Sequence, residues 1–322
     1  ILLHHRIGAS AMMPAVSNPQ DHSNPLLGIA FKLISVVCLS GMAACVKQLG
    51  ASLPVAQIVF FRGLIAIAVL ALVAWRGEGL HLLTTRNWRA HARRSVVGSI
   101  SMFCWFAALA MIPLAQMTAI SFTIPLFLTV LAMVFLGERI HAYRWTALGI
   151  GFAGVLIIVA PELAGGGGNV LGVSISLLAA VLAAFALLFL RRMSGHEHAL
   201  TITFYFFVTS TSIALLTLIF ARWPAPTQTQ WMLLGMTGLF GVMGQLFMSY
   251  TYRYAEASLV APLDYINMLI AIAIGYYFFS EIPNLSTWVG APLVIASGGI
   301  ILWREYVKLR GARSVMRSNP PV

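Results

Sequence analysis

The stretch "LFLTVLAMVFLGERIHAYRWTALGIGFAGVLII", Leu126 to Ile158, decides how this chain folds. It reads as two apolar runs joined by a short polar elbow. Moved forward by 143 positions, it falls without a gap on "LIAIAIGYYFFSEIPNLSTWVGAPLVIASGGII", Leu269 to Ile301. Leu126, Phe135, Glu138, Trp145, Ala153, Ile157 and Ile158 meet identical residues at Leu269, Phe278, Glu281, Trp288, Ala296, Ile300 and Ile301. Apolar matches between two oily segments carry little information. The shared Glu and Trp at the elbow carry more, and they mark an internal repeat.

Composition sets the solvent. Of 322 residues, 60% are hydrophobic and only 9% charged, with mean hydropathy +0.89. Soluble domains carry roughly 45–50% apolar and about 25% charged residues. A spanning helix needs about 20 mostly apolar residues, and ten such runs follow one another: 26–49, 54–75, 93–111, 114–136, 142–160, 169–190, 200–220, 230–252, 257–280 and 285–304. Turn and breaker residues separate them, among them Pro54, Pro113, Pro161 with Gly165 to Gly168, Pro224 with Pro226, and Pro283. The alternation of a transmembrane barrel is missing. The expectation is an all-α integral membrane protein. In the repeat, spans four and five match spans nine and ten, which gives two halves of five. Five is odd, so the copies insert upside-down: ten transmembrane helices as two inverted five-helix repeats. Residues 1–25 then form an N-terminal tail, 26–160 the first repeat, 161–168 a linker, 169–305 the second repeat and 306–322 a basic tail.

The charge distribution agrees. Net charge is +11, but Lys and Arg gather at span ends, a topology signal and not a nucleic-acid footprint. With both termini cytoplasmic, one side collects Arg6, Arg76, Arg86, Arg89, Arg93, Arg94, Arg139, Arg144, Arg191, Arg192, Arg253, Arg304, Lys308, Arg310, Arg313 and Arg317; the other has Lys47 and Arg222. That lopsidedness predicts an even number of spans, and the expected location is a bacterial-type inner (plasma) membrane. The stretch 76–94, with Leu80, Leu82, Leu83 and Trp88, is expected to lie on the cytoplasmic surface. The first 25 residues lack the apolar region of a signal peptide, and Met12 or Met13 is the expected start. Cys38, Cys45 and Cys104 lie in apolar runs and read as packing residues. All eight His are placed in tails or connections, so neither metal nor cofactor is expected.

Beyond the repeat, "AISFTIPLFLTVLAMVFLGERIHAYRWTALGIGFAGVLIIVAP", its echo from Ala257, and the pair "VKQLG" and "VFFRG" around the first two spans resemble the EamA family of the drug/metabolite transporter superfamily. The likeness covers nearly all of residues 26–305. It implies a permease moving small organic solutes by alternating access without nucleotide hydrolysis. Members carry amino acids, riboflavin, S-adenosylmethionine, metallophores or drugs, some inward and some outward.

Asp264 is the sharpest polar signal inside a span. An intramembrane acid costs roughly 2.5–3.5 kcal/mol on insertion scales and usually faces a cavity or a partner. Ala261, Asn267, Met268, Ala271 and Gly275 share its helical face, and Pro262 frees a backbone acceptor beside it. Asp264 either faces solute or forms a fixed ion pair. Its repeat equivalent is Ser121, on a face with Thr118, Pro125 and Thr129 that serves a site or ordinary helix packing, and Pro125 and Pro262 are expected to kink the two equivalent helices. Arg62 is placed to meet Asp264, an anionic substrate group, or a static partner. Trp105, Tyr250, Tyr265 and Gln245 are candidates to stack on or hydrogen-bond a solute. Lys32 and Lys47 are read as snorkelling, and Glu138 and Glu281 as structural acids with a donor near each. Gly235, Gly238, Gly241 and Gly244 mark a helix face built for close approach. "GIGFAG" matches a dinucleotide fingerprint only formally, since no strand precedes it.

The leading expectation is a transporter of amino-acid-, vitamin- or drug-like metabolites, proton-coupled or exchange-driven. The alternatives are a membrane-embedded enzyme, which lacks paired acids or a buried His here, and a non-transporting structural subunit. A channel would need a charged ring or carbonyl filter. The partners are a small solute and lipid, with a homodimer left open.

Overall fold

A computed structural model describes residues 25–76, 79–136, 142–163, 169–193, 197, 199–254, 263–264 and 266–318. Eleven α-helices are described: α1 (Pro25–Gly50), α2 (Val55–Arg76), α3 (Trp88–Met111), α4 (Leu114–Ser121), α5 (Ile124–Leu136), α6 (Ala142–Leu163), α7 (Val170–Met193), α8 (Ala199–Leu216), α9 (Gln228–Tyr254), α10 (Ile266–Phe279) and α11 (Leu285–Ser318). Among the described residues there is no strand. Within the described residues, seven helical stretches are long and apolar enough to cross a membrane, with α4 and α5 forming one of them. Trp145–Pro161, Ile266–Phe279 and Leu285–Ser297 are shorter apolar helices. Large apolar side chains such as Leu269, Tyr277 and Phe278 are 66%, 79% and 78% exposed, an arrangement that only a non-aqueous surround makes cheap.

The helix boundaries carry the repeat further than the sequence identities do. Shifted by 143, the end of α1 at Gly50 reaches the end of α7 at Met193, and the end of α3 at Met111 reaches the end of α9 at Tyr254. Likewise the end of α5 at Leu136 reaches Phe279, where α10 ends, and the start of α6 at Ala142 reaches Leu285, where α11 starts. Packing follows the same correspondence. α1 lies along α9 and α3 along α7, while α6 pairs with α11 and α2 with α8.

Small residues let these helices meet. In lipid the attraction between helices comes from close packing and hydrogen bonds, so small side chains concentrate at crossings. On α9, a Cβ at Gly244 would stand 2.7 Å from Leu39 of α1, and one at Gly238 would stand 2.5 Å from Ile65 of α2. Ser35 Oγ donates to the Gly244 carbonyl at 2.8 Å, and Ser101 Oγ to the Ala179 carbonyl at 2.8 Å, tying α3 to α7. Where α6 crosses α11, Gly154 and Gly290 each face the other's backbone oxygen.

The kink expected at Pro125 takes the form of a break, and two other sequence expectations change. The fourth span is broken into α4 and α5 at Phe122 and Thr123, because Pro125 has no N–H to offer the Ser121 carbonyl. α10 begins at Ile266, so Asp264 sits at the mouth of that helix and not within it; residues 255–262, and Pro262 with them, lie outside the described residues. His91 is in the first turn of α3, not in a connection. It is 1% exposed with Nε2 3.3 Å from Glu197.

Candidate functional site

The break between α4 and α5 positions the site. It frees backbone from the helical ladder and turns Ser121 toward α3, where Trp105 Nε1 donates to Ser121 Oγ at 3.2 Å. Ser121 Oγ in turn donates to the Met117 carbonyl at 2.9 Å, and Thr118 Oγ1 to the Leu114 carbonyl at 2.9 Å. Back-bonding of this kind uses the hydroxyl proton and leaves lone pairs free to accept.

Two neighbouring cavities open around this turn. The first, of about 230 Å³, is lined by Arg62 of α2, Ser101, Met102 and Trp105 of α3, Ser121, three alanines of α7 and Gln245 of α9, among others. The second, of about 220 Å³, is lined by Ser40 of α1, Thr118 and Ser121 of α4, Trp105, and Asn267 and Ala271 of α10. Met42, Trp105, Ser121 and Ile124 line both. Ser40 Oγ lies 2.7 Å from Asn267 Oδ1, which joins α1 to α10 on the wall of the second cavity. A third, apolar groove of about 320 Å³ runs between α10 and α11 past exposed Leu269 and Trp288; its one side-chain hydroxyl belongs to Thr287. Its walls suit acyl chains better than a polar solute.

Arg62 is 5% exposed at the edge of the first cavity. Its guanidinium carbon stands 5.0 Å from the Phe207 ring centre and 5.6 Å from that of Phe106, and Nη1 lies 2.9 Å from Met102 Sδ. Nε has no hydrogen-bond partner, and no carboxylate lies within salt-bridge distance of Arg62 among the described residues. Gly241 makes room for the group, since a Cβ there would sit 2.9 Å from Nε.

Asp264 pairs with Lys32 at 2.6 Å, not with Arg62. Lys32 is fully buried, with Nζ also 3.3 Å from Met248 Sδ, whereas the Asp264 side chain is 41% exposed. The snorkelling expectation fails for a positional reason. Lys32 shares a helical face with Ser35, Val36 and Leu39, and that face is pressed onto α9. That spacing was readable in the sequence; the acid waiting at the mouth of α10 was not. Lys47 does not snorkel either. It pairs with Glu281 at 2.8 Å and donates to the Ile112 carbonyl at 2.7 Å, while Glu281 accepts from the Leu114 N–H at 2.9 Å. Glu281 thus has both a cation and a backbone donor. Glu138 lies outside the described residues.

Arg62, Trp105, Ser121, Gln245, Thr118 and Asn267 therefore converge on two adjoining cavities. Tyr250 does not: it is 42% exposed and its ring is tilted against Phe31, ring centres 5.7 Å apart. Tyr265 lies outside the described residues. Sequence reasoning did not single out Ser40, Ser101, Met42 or Met102, whose only signal was helical spacing on faces that look like ordinary packing. Among the described residues, no cluster of His, Cys, Asp or Glu could hold a metal ion.

Residues 26–160 and 170–303 each match the EamA-like transporter family. The chain is 32% identical over 278 residues to a pseudopaline exporter of Pseudomonas aeruginosa, covering 84% of this chain and 94% of that one. It is 31% identical to a riboflavin transporter of Rhizobium johnstonii, over 87% of this chain and 89% of that one. An S-adenosylmethionine uptake transporter of Rickettsia conorii is 28% identical, over 87% and 94%. One solved crystal structure shares the fold with TM-score 0.60 at 16% identity, covering 85% of this chain and 96% of that chain.

Proposed function

The chain belongs to the EamA-like transporter family and is a multi-pass membrane protein; from that premise we propose that it carries small organic metabolites across a bacterial-type inner membrane by alternating access. The observation that carries this reading is the pair of adjoining cavities. Their walls come from α3 and α4 on one side of the 143-residue shift and from α7, α9 and α10 on the other.

We read α1 to α6 and α7 to α11 as two halves of five spans, α4 and α5 together making one. The packing supports this. Exchanging the halves turns the α1–α9 contact into α7–α3 and the α2–α9 contact into α8–α3, and both members of each pair occur. A two-fold operation produces such reciprocity. An odd number of spans per half puts the axis in the membrane plane, the plan of many secondary transporters, with the substrate held between the repeats. Both termini are then cytoplasmic, as the Lys and Arg distribution requires.

Two ion pairs join α1 of the first half to the ends of α10 in the second. Lys32–Asp264 lies near the start of α10 and Lys47–Glu281 just past its end. The fifteen residue steps from Lys32 to Lys47 span roughly 22 Å of helix at about 1.5 Å per residue, with Ser40 and the second cavity between them. We assign these pairs the role of latches, one at each end of the pathway, only one of which needs to open at a time. Asp264, with its partly exposed side chain, is then the group available to a coupling proton. The relatives' names span export and uptake and three unlike solutes, so the reading fixes neither direction nor compound.

The test is a plug. A metabolite library is screened for compounds that raise the thermal stability of the purified protein, since a ligand of the folded state alone stabilises it by mass action. The hits then enter counterflow assays in proteoliposomes with wild type and Ala183→Trp, which fills the first cavity. Counterflow lost in the variant supports the site; counterflow unchanged removes the cavity from the pathway.

A further inference from the structure

We infer that Arg62 is the docking point for a carboxylate, so that the central site selects small monoanionic acids with an apolar or aromatic body. This deepens the transporter reading and rests on it. A charge enclosed without a counterion is unfavourable unless its solvation is replaced. The two phenyl rings and the methionine sulfur replace part of it, because ring faces attract a cation. They leave Nε without an acceptor, although an arginine offers five N–H donors in a planar fork. Among the described residues that line the first cavity, every other one is neutral. The two bridged acids, Asp264 and Glu281, already hold lysines and do not serve Arg62.

The rest of the cavity fits the non-ionic portion of such a molecule. Trp105, Phe106 and Phe206 give ring surface, Met42 and Met102 give adaptable contacts, and the α7 alanines leave room beside them. At a share of roughly 30 Å³ per water in the liquid, about 230 Å³ corresponds to seven or eight waters. That suits a compact acid and excludes a bulky one unless the second cavity joins it.

The probes are matched acid and amide pairs of equal size: phenylacetate with phenylacetamide, and indole-3-acetate with indole-3-acetamide. Binding is read by thermal shift on the full-length protein in detergent at constant ionic strength, with inorganic phosphate as a further arm. The expected result is that each acid binds roughly tenfold to a hundredfold more tightly than its amide, the range carried by a hydrogen bond to a charged group. Arg62→Met should erase that preference while leaving the protein monodisperse, and Arg62→Lys should keep only part of it. Equal binding of acid and amide by wild type, a comparison that needs no variant, overturns the assignment. So does an acid preference that survives in Arg62→Met, or a response to phosphate equal to that of the acids. If uncharged compounds exchange through the cavity while the acids are ignored, the transporter reading stands and only the anion assignment falls.

Discussion

Gly290 sits where α11 crosses α6, and Gly290→Ala tests whether that crossing is held by backbone contact. The added Cβ would stand 2.5 Å from the Gly154 carbonyl oxygen, 2.5 Å from Ile158 Cγ1 and 3.2 Å from the Ile158 nitrogen. Two of those atoms are backbone, so no rotamer change relieves them. Opening 2.5 Å to the 3.4 Å of ordinary contact parts the helices by roughly 0.9 Å, a gap that forfeits a quarter to a half of the dispersion attraction across it. Overpacking a well-filled site costs about 1–3 kcal/mol, and a backbone clash belongs at the upper end. Against this, alanine is a better helix former than glycine by about 1 kcal/mol, leaving a net loss of about 2 kcal/mol. Gly149 supplies the control, because a Cβ there meets nothing within 4 Å; Gly149→Ala should stabilise by the propensity term alone. The assay is thermal unfolding in one detergent, followed by size-exclusion chromatography. The two variants should move the midpoint in opposite directions. If Gly290→Ala matches or exceeds wild type, the helices do not touch as described and the packing argument fails.

Other outcomes follow from the ion pairs and the turn after α10. Asp264→Ala takes the carboxylate from a fully buried ammonium, while Lys32→Met takes the cation from a carboxylate whose side chain is 41% accessible. The first should therefore be the more destabilising, on the order of 2 kcal/mol, below the about 3–5 kcal/mol of a wholly enclosed pair because of that access; the reverse order in thermal unfolding would contradict the pairing. Asp264→Asn should abolish gradient-driven accumulation in proteoliposomes yet leave exchange partly intact, and unchanged accumulation removes this acid from coupling. Ser280 has φ 54°, a left-handed conformation that costs a non-glycine residue roughly 1–2 kcal/mol, so Ser280→Gly should raise the unfolding midpoint and Ser280→Val lower it.

Much of the candidate site was legible before any coordinates. Polar and small residues inside apolar spans are rare enough that Arg62, Trp105, Ser121, Thr118, Gln245 and Asn267 stood out, and all six line the two cavities. The partners were not legible. Lys32 and Asp264 are 232 positions apart in the chain, and nothing local says which basic residue meets the acid. Tyr250 passed the same composition filter as Trp105 but stands on a different part of its helix, beside Phe31.

By itself the sequence determined that the chain lives in a bilayer, that it is helical, and that it repeats after 143 residues, because those properties depend on local hydrophobicity and on spacing along the chain. The tertiary structure decided which charges neutralise one another, and that among the described residues no carboxylate lies within salt-bridge distance of Arg62. The physical reason is that pairing energies fall off within a few ångströms, so they depend on which faces two distant helices turn toward each other. Gly244 against Leu39 and Gly290 against the Gly154 backbone are such faces, and among the described residues that line the first cavity Arg62 is the one cation.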